Sequence, residues 1–195
     1  MRRTALPRVV SLVVSLGAVL LAAGPAFASD WAVDAGKSRL GFSGVQVGVP
    51  FQGRFTRYDA RVTFDPAKPE AGSAVVVVDV TSARTGDTQR DEALPQGDWF
   101  DAKRYAQARF EAHGFRAKGG DAYEAPGTLT IRGTSHDVVL PFTLTINGDT
   151  AHAQGRLQLV RTAFGVGQGA WSSGQWVALD VGVDVDLVAT RVPGT

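Results

Sequence analysis

Residues 177–187 read Val-Ala-Leu-Asp-Val-Gly-Val-Asp-Val-Asp-Leu. Val177, Leu179, Val181, Val183, Val185 and Leu187 take every second position, and Ala178, Asp180, Gly182, Asp184 and Asp186 fill the gaps. Successive side chains of a strand point to opposite faces, so an extended chain here has one apolar and one acidic face. A helix would spread the six apolar residues around its whole circumference. The stretch is therefore a strand with one face in a core and the other in water.

The same alternation recurs upstream. Val138, Leu140, Phe142, Leu144 and Ile146 interleave with Val139, Pro141, Thr143 and Thr145. Leu157 and Leu159 interleave with Gln154, Arg156 and Gln158, Leu129 and Ile131 with Thr128, Thr130 and Arg132, and Leu40 and Phe42 with Arg39 and Gly41. Across 51–65 the parity changes: Phe51, Gly53 and Phe55 share one face, and Tyr58, Ala60, Val62 and Phe64 the other, so a bulge or bend is expected near 55–58. Ala74 to Val80 reads as a more fully buried strand. Asp65-Pro66, Arg132-Gly133-Thr134 and Asn147-Gly148-Asp149 are turn signals between the runs. Short turns between amphipathic strands, without βαβ alternation, predict an all-β antiparallel meander in one domain over 29–195.

The segment 84–104, RTGDTQRDEALPQGDWFDAKR, breaks the pattern. Asp87 or Thr88 is placed to cap a short polar helix that ends at Pro95. Its large apolar residues, Leu94, Trp99 and Phe100, fit either a lid over a barrel mouth or a surface loop docked by its aromatics.

Composition narrows the function. The chain has 195 residues, 20 basic and 19 acidic side chains, and no cysteine. Disulfides, thiolate metal sites and a cysteine nucleophile are thereby excluded. Arg2, Arg3 and Arg8 precede an uncharged, mostly apolar run from Val9 to Ala23, and Ala26-Phe27-Ala28 ends in the A-x-A pattern of a signal peptidase site. The run is shorter than the ~20 apolar residues of a membrane span. Residues 1–28 are thus expected to be a signal peptide cleaved before Ser29, leaving an exported protein, periplasmic or secreted, with no integral span. Residues 1–28 hold three arginines and no acid, so the remainder is formally −2. Broad electrostatic binding to nucleic acid is not expected of such a surface.

Several motifs fail on context. Gly165-Val-Gly-Gln-Gly-Ala170 fits a dinucleotide fingerprint, but a tryptophan-bounded loop and a strand follow where a helix is required, so a hairpin loop is expected. Ala170-Trp-Ser-Ser-Gly174 resembles a degenerate nucleophile elbow around Ser172, yet no histidine lies downstream, and no catalytic residue is assigned. His113, His136 and His152 lack ligand spacing and lie on outer faces or at a turn, so no metal site is assigned. Asp180, Asp184 and Asp186 form a solvated face rather than a cage of ~6–8 oxygens. Arg161 has the inner parity of Leu157 and Leu159. It is placed to anchor a polar head group or to pair with a carboxylate such as Asp91, unless the strand ends there.

Five stretches in order resemble the YceI-like family of exported bacterial proteins: Trp31-Ala-Val-Asp34 with Ser38-Arg-Leu-Gly-Phe42; Gly53-Arg-Phe55 with Phe64-Asp-Pro66; Arg90-Asp-Glu-Ala-Leu94 with Asp98-Trp-Phe-Asp101; Gly127-Thr-Leu-Thr-Ile-Arg-Gly-Thr134; and Arg161-Thr-Ala-Phe-Gly165. Ala93 departs from the histidine that many relatives have there, and no proline follows Tyr105. The resemblance implies an eight-stranded antiparallel, lipocalin-like barrel. It further implies an apolar interior that binds a polyisoprenoid lipid of quinone or prenyl-phosphate type, with no other cofactor. Phe42, Val78, Val80, Phe110, Leu129, Ile131, Phe142, Leu144 and Phe164 are the inner-face candidates for contact with the lipid tail that the resemblance implies. Leu94, Trp99, Phe100 and Arg161 are the candidates at the mouth, near the head group. A homodimer is compatible with this reading. The competing readings are a structural or stress-related barrel with a packed interior, and a hydrolase using Ser172.

Overall fold

The computed structural model describes residues 29–193. The signal-peptide expectation falls on residues outside that range. Twelve strands form one sheet: β1 (Ser29–Val33), β2 (Arg39–Gln46), β3 (Val49–Phe55), β4 (Tyr58–Phe64), β5 (Ser73–Asp79), β6 (Ala83–Arg84), β7 (Gln107–His113), β8 (Arg116–Gly119), β9 (Ala122–Ile131), β10 (Thr134–Asn147), β11 (Thr150–Val160) and β12 (Asp180–Arg191).

Six of these segments pair up into three interrupted walls. β1 and β2 both lie antiparallel to β12 at different heights, with Val33 opposite Ala189 and Phe42 opposite Val183. They are one wall broken at 34–38, where the Asp34 carboxylate accepts the amides of Gly36 and Lys37. β3 and β4 form the next, with β3 against β2 and β4 against β1. The break at 56–57 lies where parity predicted a bulge or bend. There Ser82 takes over the pairing: its carbonyl accepts from Thr56 N and its Oγ from Arg57 N. β5 and β6 make the third wall. With β7, β9, β10, β11 and β12 the walls total eight, each antiparallel to its sequence neighbour, and β1 on β12 closes the ring. Closure removes the exposed sheet edges that an open meander would offer to other chains. β8 is a short flap on β9 outside the ring.

The inner parity predicted from sequence holds along β9 to β12, and the apolar faces meet in two clusters. One cluster joins Trp31, Phe64, Phe115 and five alanines, Ala74, Ala112, Ala125, Ala151 and Ala189, all buried. The alanines leave room on the walls for aromatic rings. Phe64 meets Phe115 and Tyr123 edge-on at 5.4 and 5.6 Å, and Tyr123 stacks on Phe142 at 5.6 Å. This aromatic plug fills one end of the barrel. The other cluster, Leu159, Phe164 and Val166, is covered by Trp99 and Phe100 of the insertion.

One local expectation is corrected. Parity puts Val80 on the inner face with Val78. The strand ends one residue earlier, because the Asp79 carboxylate accepts from Thr81 N (2.9 Å) and Thr81 Oγ1 (2.6 Å) and so caps a 3-10 turn over Val80–Ser82. The turn takes Val80 out of strand alternation and buries it in protein at 1 % exposure. The glycine-rich stretch 165–170 lies in the loop that joins the antiparallel neighbours β11 and β12, as expected of a hairpin, and this loop carries two 3-10 turns, Arg161–Phe164 and Gly169–Trp171.

Candidate functional site

Between the plug and the insertion the barrel encloses a cavity of about 280 Å³. Its wall is nearly all aliphatic and aromatic. Of the residues predicted from sequence, Phe42, Val78, Phe110, Leu129, Ile131, Phe142, Leu144, Leu94, Trp99, Phe100, Phe164 and Arg161 line it, and Val80 does not. Reading by parity missed Phe55, Tyr58 and the plug residues Phe64 and Phe115, which also line it. The 51–65 parity switch already pointed to the first two, since both flanks of a bulge can face inward.

Packing shapes the wall. Phe42 sits opposite Gly53, and its ring lies where a Cβ at 53 would be, so only glycine allows the ring to lie flat against β3. Phe42 then tilts against Phe55 at 5.1 Å, and Phe55 reaches Phe100 of the insertion at 6.2 Å. Ligand pockets span ~300–1,000 Å³, and this space is close to the lower bound. Unfilled apolar space costs on the order of 24 cal/mol per Å³, so a barrel of this interior gains several kcal/mol, roughly, from an apolar occupant. Water is a poor occupant without polar partners.

The polar groups at the wall are few. The Tyr58 hydroxyl is buried and makes no hydrogen bond. Burial raises its pKa, and the nearby Ser38 hydroxyl offsets part of that rise. Ser38 itself accepts from Val188 N (2.9 Å) and donates to Val188 O (3.2 Å).

At Arg161 the strand ends, the alternative that the sequence left open. The residue begins the 3-10 turn after β11, and its side chain is enclosed by the loop that follows, at 4 % exposure. Nε donates to Ala178 O (3.0 Å), Nη1 to the carbonyls of Val166 (2.9 Å) and Gly167 (3.4 Å), and Nη2 to those of Trp171 and Val177 (2.7 Å). Its five N–H groups thus meet five carbonyls, which leaves no donor for a head group. A Cβ at Gly167 would collide with Nη1, which explains the glycine there. Burial lowers the arginine pKa, and the carbonyl dipoles offset the desolvation of the cation. Asp91 is not its partner. The Asp91 carboxylate instead accepts from Thr85 N and Thr85 Oγ1, both at 2.7 Å.

The insertion is strapped across the mouth. Its helix α1 (Thr88–Ala93) is capped by Asp87, whose carboxylate accepts from Arg90 N at 2.9 Å. Arg90 Nη1 donates to Gln46 Oε1 (2.6 Å), and its guanidinium lies 4.3 Å over the Phe51 ring. The amides of Gly167 and Gln168 donate to Asp98 O at 2.8 and 2.7 Å. Arg132, at φ 51° in the β9–β10 turn, donates to the carbonyls of Gly97 and Trp99. Leu94, Trp99 and Phe100 are held over the cavity as a lid.

Ser172 Oγ donates to Gly169 O (2.8 Å), and a 3-10 turn precedes it in place of a strand–turn–helix elbow. The three histidines are scattered. His136 Nε2 is 3.0 Å from Ala163 O, His152 is 2.6 Å from Asp186 Oδ1, and His113 is exposed at the end of β7. No helix among the described residues is long and apolar enough to cross a membrane.

A closed barrel with an apolar interior, one plugged end and one lidded end defines a class of small ligand-enclosing β-barrels. Within that class, residues 31–189 match the YceI-like domain, and the chain belongs to that family. A UPF0312 protein of Azotobacter vinelandii is 30% identical over 136 residues, 65% of this chain and 68% of that protein. A UPF0312 protein of Vibrio cholerae is 30% identical over 132 residues, 66% of this chain and 70% of its own length. Among solved structures, Burkholderia cenocepacia BcnA is 40% identical with a TM-score of 0.79, covering 81% of this chain and 99% of that one. A polyisoprenoid binding domain from Saccharophagus degradans, implicated in plant cell wall breakdown, shares the fold at a TM-score of 0.66 and 17% identity, over 85% of this chain and 99% of that one.

Proposed function

We propose that the protein is an exported carrier that encloses a polyisoprenoid lipid, of quinone or prenyl-phosphate type, in its barrel. The observation that carries this reading is the lidded cavity of about 280 Å³ with its aliphatic and aromatic wall. Such a wall recognises an unsaturated hydrocarbon chain by shape and dispersion, and it offers no converging acid, base and nucleophile for a reaction. Binding is thus favoured over catalysis, and the unfilled interior argues against a packed structural barrel. The ligand class is supported by the Saccharophagus degradans domain of the same fold. The tail would lie along Phe42, Val78, Phe110, Leu129, Ile131, Phe142 and Leu144, with Phe164 and the lid residues Leu94, Trp99 and Phe100 nearer the head group. Arg161 takes no part in holding that head group.

Thermal unfolding with and without an added long-chain quinone or prenyl phosphate tests the reading. A ligand at about a hundredfold its dissociation constant stabilises by ~2.7 kcal/mol, an upward shift of roughly 5–10 °C for a domain of this size. No shift with either lipid, in protein stripped by organic extraction and refolded, contradicts it. Export is tested on the same preparation, whose N-terminal residue is expected to be Ser29.

A further inference from the structure

The β2–β3 hairpin turns on Val47 and Gly48, with Gln46 paired to Val49. Both turn residues have positive φ, 49° and 77°. Such a turn favours Asn-Gly, and a β-branched residue at the first position is strained. That strained residue is also 65% exposed, and Val49 is 66% exposed. An apolar side chain that is both strained and solvated contributes nothing to this fold. Trp176, 48% exposed, lies alongside: Val47 N donates to Trp176 O (2.8 Å), and Gln46 bridges to Val177. Exposed Pro50 extends the patch.

The two chain segments that form the patch carry no charged side chain, and Arg90 at its edge is engaged by Gln46, Asp87 and the Phe51 ring. The two longest stretches without Asp, Glu, Lys or Arg in residues 29–195 are 40–53 and 162–179, and they meet here. The patch lies on the lidded rim, where Gln46 accepts from Arg90 of α1. Three of the four tryptophans, Trp99, Trp171 and Trp176, stand at this end, and Trp99 and Trp171 are 5.5 Å apart. Valines at a protruding tip flanked by tryptophan suit the boundary between head groups and acyl chains, where indole is favoured.

We propose that this rim docks on the surface of a lipid bilayer through the tip of the β2–β3 hairpin, with Val47, Val49 and Trp176 inserted at the head-group boundary. The partner is the apolar layer rather than anionic head groups, because neither segment of the patch supplies a cation. The docking rests on the carrier reading only for its purpose, and it is measured without reference to what the barrel holds.

The test uses vesicles of phosphatidylcholine, with sedimentation of wild type, Val47→Asn/Val49→Ser and Trp176→Phe. Asparagine suits the left-handed turn, so the double variant is expected to fold at least as stably as wild type by thermal unfolding. It is expected to partition about tenfold more weakly, the effect of withdrawing two aliphatic side chains from the interface. Bromine on the acyl chains is expected to quench wild-type fluorescence more than that of Trp176→Phe. Partition is expected to persist as salt is raised. Failure of wild type to sediment with these vesicles, or equal partition of the double variant, overturns the proposal. So does binding confined to anionic vesicles and abolished by salt. A dimer in gel filtration that the double variant dissociates, with vesicle binding unchanged, assigns the patch to self-association and also overturns it. Lipid found in the barrel of a protein that fails to dock removes this proposal and leaves the carrier reading intact.

Discussion

The guanidinium of Arg161 has five N–H groups, and five backbone carbonyls surround it. Each charge-assisted hydrogen bond is worth ~1.5–3 kcal/mol, although they do not add independently. Removing the cation leaves the buried carbonyls of Val166, Gly167 and Val177 without their partner, so Arg161→Met is expected to cost about 3–5 kcal/mol. In a chain of this length that lowers the melting temperature by roughly 10 °C. Arg161→Lys keeps the charge with only three donors and a different shape, so it is expected to recover part of the loss. A residue that served only the ligand would behave otherwise: Arg161→Lys would keep wild-type melting and lose lipid affinity, and that result would contradict the structural role. That Arg161 either continues the parity of Leu157 and Leu159 or follows the end of the strand was legible, and the strand ends. The partners of Arg161 were not, because they are main-chain carbonyls, which every sequence has. Val80 illustrates the converse limit. Parity with Val78 stops at the Asp79 cap, and an Asx-type bond depends on local geometry that a two-residue period does not encode.

At the scale of elements, the lid depends on a few directional bonds. Asp91 fixes the start of the insertion through the two bonds from Thr85. Burial pushes its carboxyl pKa up, but the Thr85 hydrogen bonds and the charge of Arg84 outweigh that and leave it lowered. A carboxyl with a lowered folded pKa stabilises fully above its unfolded value, ~3.9, and that contribution is lost as pH falls through the folded value. Amide exchange over 85–94, corrected for intrinsic rates, is therefore expected to show a protected lid at neutral pH and an opened one in acid. Asp91→Asn is expected to open it at neutral pH. Equal protection of wild type and variant throughout would show that the Thr85 bonds do not hold the lid. The short helix was legible and its cap was narrowed to Asp87 or Thr88, because a capping side chain before a polar run is local chemistry. The choice between lid and docked loop was not, since it turns on Arg132 and on the amides of Gly167 and Gln168, both distant in sequence. The break at 56–57 was legible from inward residues changing parity, whereas the break at 34–38 falls in a polar turn with no parity to lose.

For the whole molecule, alternation established inward faces and short turns established sequential pairing, so an antiparallel meander was legible from residues alone. Ring closure was not, since pairing of the first strand with the last leaves no local mark; the family resemblance supplied it. A packed interior and a hollow one share the same alternation, and the difference lies in volumes. The plug depends on Ala74, Ala112, Ala125, Ala151 and Ala189 being small where Phe64, Phe115, Tyr123 and Phe142 are large. Leu144 packs against that plug and lines the cavity. Leu144→Trp adds volume at the tail position, and overpacking of this kind costs ~1–3 kcal/mol, which a barrel of this size tolerates. The most direct test of a lipid-filled interior is native mass spectrometry of gently purified wild type and Leu144→Trp, with circular dichroism as the control for folding. The account predicts an added mass on wild type, extractable into organic solvent as an isoprenoid lipid, and reduced occupancy in the folded variant. Wild type at its bare chain mass that takes up no added quinone or prenyl phosphate would contradict it.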